Sequence, residues 1–444
     1  MQKRIFLPVE VFSREIDSRI CLAAFFQSKG YEVIFGHIWY VKTIALKFAS
    51  EGDIYFQIHA KRSFGDEWLD VLKERGVFLI GIEEEGPFDY IDYAIQDQER
   101  GTQSGVGIFD IWICWGNRDF NYLKNKLPEL PSLLNYGTPR SSLWGICGEK
   151  YYLPELNSRK IRQYGNFVLI ATSFWKTFAV NDTTTTIKLT KAYGEVYKNM
   201  VIKTLGDEEK NRIEEENNFI NLEKLILAII FETNFNVVIR PYPMERDILA
   251  KKLKKINNKR VFIDRSLSIS PLIKSCKAFI HSGSTTAIES LVSEKPTISI
   301  IDFNTHHESN SNLLSVQLSK KPKTKKELLR DLESPNTLDL SNYLVKSNLL
   351  MHFEKLYEKI IELSNYKELN FNKKRIIANK SRKIYNAVIK IRGGKVYKTD
   401  KAKRPKLDSQ TISTKLEMAY DVLDIKNPVY TIDLVDQNTF YLHI

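Results

Sequence analysis

The stretch Lys277-Ala-Phe-Ile-His-Ser-Gly-Ser-Thr-Thr-Ala-Ile-Glu-Ser-Leu291 runs from an apolar segment, through a cluster of small hydroxylated residues, into a helical pattern. Residues 277–281 read as a strand, 282–286 as a turn, and the residues from about 284 to 292 as a helix, followed by a second strand at 296–300. Strand, turn and helix in that order are the unit of an open parallel sheet, and ligands in such sheets bind at the C-terminal ends of the strands. A helix start offers unpaired N–H groups, so a Gly-containing turn with hydroxyls there suits a phosphate. Simple capping by Ser or Thr accounts for the cluster nearly as well.

The same alternation extends to both sides. Upstream lie strand-like 166–173, a long helix around 208–233, strand-like 235–241, a helix around 244–256, strand-like 260–264 and a short helix near 270–276. Before these, a first series contains strands at 4–9, 31–36, 53–59, 77–82, 108–116 and 132–137, with helices at 13–30, 39–50 and 64–76. The expectation is an α/β chain of two Rossmann-like domains facing across a cleft, residues 1–155 and 156–320, with a helical and basic C-terminal extension over 321–444.

The composition fits globular domains, with 43% hydrophobic and 27% charged residues, and no apolar run approaches the roughly 18 residues of a membrane helix. The first residues are broken by Glu10, Arg14, Glu15 and Asp17, unlike a secretory signal, so a cytoplasmic protein is expected. Four scattered cysteines give no disulfide or zinc spacing. The net charge of +12 is local: residues 371–406 hold fourteen Lys and Arg against the single acid Asp400, and the rest is near neutral. Such a block suits an anionic surface or is a solvated helical face.

Four constellations sit where strands end. Arg240 closes an apolar strand and is placed to meet a phosphate or sugar carboxylate. His281, Ser282, Gly283, Ser284, Thr285 and Thr286 form the turn quoted above, with Glu289 one helical turn beyond Thr285. Glu83-Glu84-Glu85-Gly86 follows the strand at 77–82, and clustered carboxylates in a desolvated site raise one another's pKa, as a general base requires. Residues 136–142, Tyr-Gly-Thr-Pro-Arg-Ser-Ser, make a turn from which Arg140 projects. Solvated loops, surface ion pairs and ordinary turns are the competing readings. Neither a Walker A sequence nor G-x-G-x-x-G occurs.

In this order the segments resemble the bacterial surface-carbohydrate biosynthesis proteins, glycosyltransferase-like chains of GT-B architecture, over roughly residues 4–305. In similar proteins the segment matching Arg240-Pro-Tyr-Pro reads Arg-Pro-His-Pro, so Tyr242 departs from the pattern. The resemblance implies a nucleotide donor held by Arg240, Ser282, Gly283, Ser284, Thr285, Thr286 and Glu289. A more distant similarity to CMP-dependent sialyl- and Kdo-transferases implies Glu84 or Glu85 as base and His281 at the donor phosphate. There Ser282 replaces the usual proline after the histidine. Glu10, Arg14 and Glu15 would face the acceptor.

The function expected is a metal-independent glycosyltransferase without cofactor, moving an ulosonic acid from a CMP-linked donor to a surface polysaccharide or lipid-linked glycan. Residues 371–406 would contact the anionic inner membrane face, and no nucleic-acid partner is expected. The alternatives are a glycerol- or ribitol-phosphate transferase of the teichoic-acid type, a nucleotide-sugar 2-epimerase, and a non-catalytic glycan- or nucleic-acid-binding protein.

Overall fold

The computed structural model describes residues 3–60, 66–84, 103–126, 132–172, 208–242, 253, 256, 258–265, 268–300, 314–345, 348–368, 407–426, 428–436 and 439–443. Glu85, most of the expected helix at 244–256 and the basic block 371–406 lie outside them. The chain divides into two compact units, Met1–Leu153 with Asp339–Ile444, and Pro154–Leu338. The first boundary falls beside the expected one at 155. The second lies at Leu338 rather than 320, and the residues after it belong to the first unit instead of forming an appended extension.

Unit 1 is built on an eight-stranded sheet. Its strands are β1 (Arg4–Val9), β2 (Glu32–His37), β3 (Ile54–Gln57), β4 (Phe78–Ile82), β5 (Ile111–Ile113), β6 (Ser132–Leu134), β12 (Thr431–Asp436) and β13 (Thr439–His443), ordered β12-β13-β2-β1-β3-β4-β5-β6. The six from β1 to β6 pair in parallel, and β13 pairs antiparallel with both β2 and β12. Strands such as Phe-Leu-Ile-Gly-Ile at β4 are buried throughout, as a parallel sheet covered on both faces requires.

The first helix, α1 (Phe12–Ser28), begins one residue before the expected segment 13–30, and Gly30, two residues past its end, has φ +85°. That left-handed geometry is where a helix stop favours glycine. Nearly every residue of α1 from Glu15 to Gln27 is buried. The reason lies in the C-terminal segment, because α13 (Ser409–Val422) and the hairpin β12–β13 cover what would otherwise be open surface. Lys415 reaches 2.7 Å from the Asp17 carboxylate, which also accepts from the hydroxyls of Tyr151 and Tyr152.

Unit 2 holds a five-stranded parallel sheet, β7 (Phe167–Ala171), β8 (Asn236–Arg240), β9 (Val261–Ile263), β10 (Ala278–His281) and β11 (Thr297–Ser299), ordered β11-β10-β7-β8-β9. Side-chain alternation sorts the apolar residues to two faces. Val168, Ile170, Val237, Ile239 and Ile280 pack on one face against the long α8 (Glu208–Glu232). Phe167, Leu169, Val238 and Phe279 pack on the other with α7 (Arg159–Tyr164) and α9 (Ser270–Ser275). Both units are Rossmann-like, as the alternation in the sequence indicates.

Candidate functional sites at the strand ends

In unit 2 the register brings Arg240, Ala171, His281 and Ser299 into one row across four neighbouring strands, at their C-terminal ends. All four point to the same sheet face, since residues paired in a parallel ladder share an orientation. Ala171 is small and lies between the two polar groups.

His281 is fully buried beneath its turn. Its Nδ1 accepts from the backbone N–H groups of Gly283 at 3.1 Å and Ser284 at 3.2 Å. The Ser319 hydroxyl, 2.8 Å from Nε2, donates its proton to the carbonyl of Ser315. Nε2 therefore carries the ring hydrogen and donates to Ser319, which makes the imidazole a neutral tautomer with both nitrogens engaged. Burial lowers its pKa to about 3. Instead of projecting into the turn, the histidine fixes its shape, with Gly283 at φ +91°.

Two of the N–H groups suited to a phosphate are thus occupied by the ring. What the turn offers outward are its side chains: Ser282, Ser284, Thr285 and Thr286 are all half-exposed. The following helix, α10 (Thr286–Val292), starts without a side-chain cap. The Ser284 hydroxyl accepts from the Thr286 N–H at 3.3 Å, so capping accounts for Ser284 in part, while the Thr285 side chain at the cap position makes no such bond. Glu289 is buried one turn into that helix.

Arg240 is 8% exposed, and burial lowers its pKa to about 10. Its Nη1 donates to the backbone carbonyl of Asp264 at 3.2 Å. The Asp264 carboxylate is taken by others, Lys160 at 2.6 Å and the Tyr164 hydroxyl at 2.9 Å. Burial, with Asp264 beside it, raises the pKa of Tyr164, which keeps that phenol a donor. Among the described residues no carboxylate stands within ion-pair distance of Arg240. A desolvated guanidinium with spare donors is a strong partner for an anion.

In unit 1, segments far apart in sequence meet at the end of β4. The Glu84 N–H donates to Ile58 O at 3.2 Å, and Arg140 Nη1 donates to Glu84 O at 2.7 Å. Trp115 Nε1 donates to Glu83 O at 2.7 Å. Arg140 lies over the Trp144 ring, which stacks on Trp115. The turn carrying Arg140 is set by Thr138, whose hydroxyl caps α5 (Pro139–Ser142) in a reciprocal bond with Ser141.

The Glu84 side chain meets Arg19, a residue that its place inside the apolar run of α1 marks but that reading by strand ends misses. Arg19 Nη2 is 2.7 Å from Glu84 Oε1, with both side chains almost completely buried. The contact is an ion pair without aligned hydrogen bonds on either Glu84 oxygen. Arg19 Nε donates to Pro8 O, and its guanidinium lies 4.5 Å from the Phe56 ring centroid.

Glu15 is likewise buried. Its carboxylate accepts from Glu10 N–H and from Arg14, both at 2.7 Å. Burial alone would raise its pKa, but Arg14, Arg19 and that N–H bring it below the ordinary value. Of the expected acceptor residues, Glu10 and Arg14 are half-buried while Glu15 ties the β1–α1 turn together.

Among the described residues no cluster of His, Cys, Asp and Glu could hold a metal ion, and no helix is long and apolar enough to cross a membrane.

No protein-family model matches the sequence, and no curated protein matches it. Solved structures do. A structure of the wall teichoic acid polymerase TagF, a variant soaked with CDPG, aligns over 83% of this chain and 90% of its own at 10% identity, with a TM-score of 0.52. The UDP-GlcNAc 2-epimerase of Methanocaldococcus jannaschii aligns over 81% of this chain and 100% of its own at 12% identity, with a TM-score of 0.48. That of Rickettsia bellii aligns over 84% and 99% at 12% identity, also at 0.48. The likeness to TagF places the chain among GT-B-like folds; at 10% identity it speaks for the fold alone.

Proposed function

We propose that the chain is a transferase of bacterial surface-glycan assembly that binds a nucleotide-activated donor at the C-terminal edge of the five-stranded sheet. The observation that carries this reading is Arg240, a buried cation whose neighbouring carboxylate, Asp264, is already engaged by Lys160 and Tyr164. Beyond Ala171 in the same row stands the hydroxyl turn 282–286, which supplies donors for the remaining oxygens of an anionic donor. His281 shapes that turn from below, and Glu289 is assigned to the ribose.

The finer reading is a glycosyltransferase using a CMP-linked ulosonic acid. The base is assigned to the acidic segment after β4, with Glu84 anchored by Arg19 and Glu85 following it; Arg14 and Glu10 are assigned to the acceptor. No metal or cofactor enters the reaction as proposed. The block 371–406 is assigned to contact with anionic lipid, which would keep the enzyme near a lipid-linked acceptor. A second reading, transfer of glycerol or ribitol phosphate, is favoured by the fold shared with TagF.

A thermal-shift screen of CMP, CDP, UDP and GDP tests the common part. Stabilisation by one nucleotide, lost in Arg240→Ala and weakened in the double substitution Ser284→Ala and Thr285→Ala, is the expected result. Absence of any shift would count against the whole reading. Product masses then separate the two chemistries, since phosphate stays with the nucleotide in glycosyl transfer and moves to the acceptor in the other.

A further inference from the structure

Trp115 uses each of its polar groups to tie down a different piece of unit 1. Its indole N–H holds Glu83 O, its carbonyl accepts from Val345 N–H at 2.8 Å, and its own N–H donates to Asp119 Oδ2 at 3.0 Å. The neighbouring Arg118 N–H donates to Asn342 O at 2.8 Å. One turn, residues 115–119, thereby joins the end of β4 to the segment by which the chain returns from unit 2.

Asp119 is the weak member of this joint. It is 3% exposed, the Trp115 N–H is its one hydrogen bond, and its Oδ1 is buried with none. The groups that face it are Glu83 at the end of β4, Cys114 at the end of β5 and Arg118 on its own helix, whose guanidinium lies over the Tyr343 ring. Among the described residues it makes no ion pair. A carboxylate with one donor, no paired cation and a second acid beside it is costly to bury in its charged form.

We propose that Asp119 is a positioning residue that, through Trp115, keeps the Glu83–Glu84 strand end joined to the returning segment 342–345, and that its buried carboxyl makes this joint respond to proton binding. Losing its proton sets a buried negative charge against Glu83 and at the same time strengthens the bond from Trp115 N–H, so the two protonation states hold the turn differently. Burial, opposed by the Trp115 N–H and augmented by Glu83, raises the Asp119 pKa to about 7, which puts the transition in the physiological range. The effect on acceptor-side chemistry rests on the function proposed above, whereas the proton itself does not.

The test is a pH titration of the full chain labelled with [15N]tryptophan, the Trp115 amide and indole signals being assigned by their absence in Trp115→Phe. Both signals are expected to titrate with a midpoint near 7. In Asp119→Asn they should stay at their low-pH positions from pH 5.5 to 8.5. Glu83→Gln should keep the transition and move its midpoint down, because the like charge is gone. Signals that do not titrate overturn the proposal, as does a transition that persists in Asp119→Asn. A Trp115 transition abolished by Asp119→Asn, in a protein that no nucleotide stabilises, would defeat the functional reading and leave this one standing.

Discussion

Arg19 and Glu84, sixty-five positions apart in sequence, face each other at 2.7 Å in the interior of unit 1 with almost no exposure. Among the described residues each is the other's only ion-pair partner, although Arg19 also acts on the nearby Glu15, and Arg140 and Ile58 hold the Glu84 backbone in place around them. Removing one partner strands the other. Arg19→Met should cost about 3–5 kcal/mol, the range for breaking a buried pair. The double variant Arg19→Met with Glu84→Gln should recover most of that loss. Urea unfolding of the four proteins checks it, and additive single costs would disprove the coupling.

The joint between Gly116 and the returning segment has no room for a side chain. A Cβ at Gly116 would stand 2.6 Å from Leu344 N and from Tyr343 C, both of them backbone atoms. Gly116→Ala should destabilise unit 1 by about 1–3 kcal/mol through overpacking. Amide exchange should quicken at Arg118 and Val345, the residues bonded across the joint. Unchanged exchange at those two amides would show that the contact is looser than described.

Two buried histidines set the acid side of stability. Burial lowers His281 to about 3 and His352 to about 4, against about 6.5 when unfolded. Between pH 6.5 and 4 the unfolded chain binds protons that the folded chain refuses, so both groups make stability fall as pH drops. Asp119 acts with the opposite sign: its pKa of about 7 in the fold lies above its unfolded value, so its contribution falls as pH rises from about 4 to 7. Asp119→Asn should therefore steepen the loss of stability on acidification over pH 6.5 to 4. Urea midpoints across that range measure it, and a shallower dependence in the variant would refute the assignment.

Deleting residues 428–444 removes Phe440 and Leu442, both fully buried, and uncovers the β2 edge that β13 pairs with. An open parallel-sheet edge of that length recruits other strands. The truncated chain is expected to aggregate or to lose protection across Glu32–His37, read by size-exclusion chromatography and hydrogen exchange. A monodisperse product with β2 still protected would show that the hairpin is dispensable.

The alternation of strand and helix was legible because parallel strands buried on both faces leave continuous apolar runs, as at 77–82 and 166–171. The hydroxyl turn and Arg240 were legible for a related reason, since residues ending such runs fall on one edge. What local pattern did not reveal was partnership. Glu84 reads from sequence as a candidate base and Arg140 as a turn residue, nothing marks Trp115 within its apolar strand, and the meeting of the three depends on the lateral order of β3, β4, β5 and β6. Arg19 had a signal, a charge inside an apolar helix, but its partner lies three connections away. His281 looked like a ligand contact because a strand-end imidazole does not show from sequence that Ser319 will take its other nitrogen. The tail 431–443 carried alternating apolar residues on either side of Asp436-Gln-Asn, the pattern of a hairpin. Its place beside β2 follows from tertiary pairing that such a pattern does not encode.

The pairing of β13 with β2 also sets an order of assembly. During synthesis unit 2 has all of its residues before α13 and the β12–β13 hairpin leave the ribosome, so the unit that starts first is completed last. Until then α1 lacks the helix that covers it, Asp17 lacks Lys415, and the β2 edge stays open. The nascent chain thus carries an unfinished first unit alongside a finished second one, and the interval between them is when it most needs protection from its neighbours.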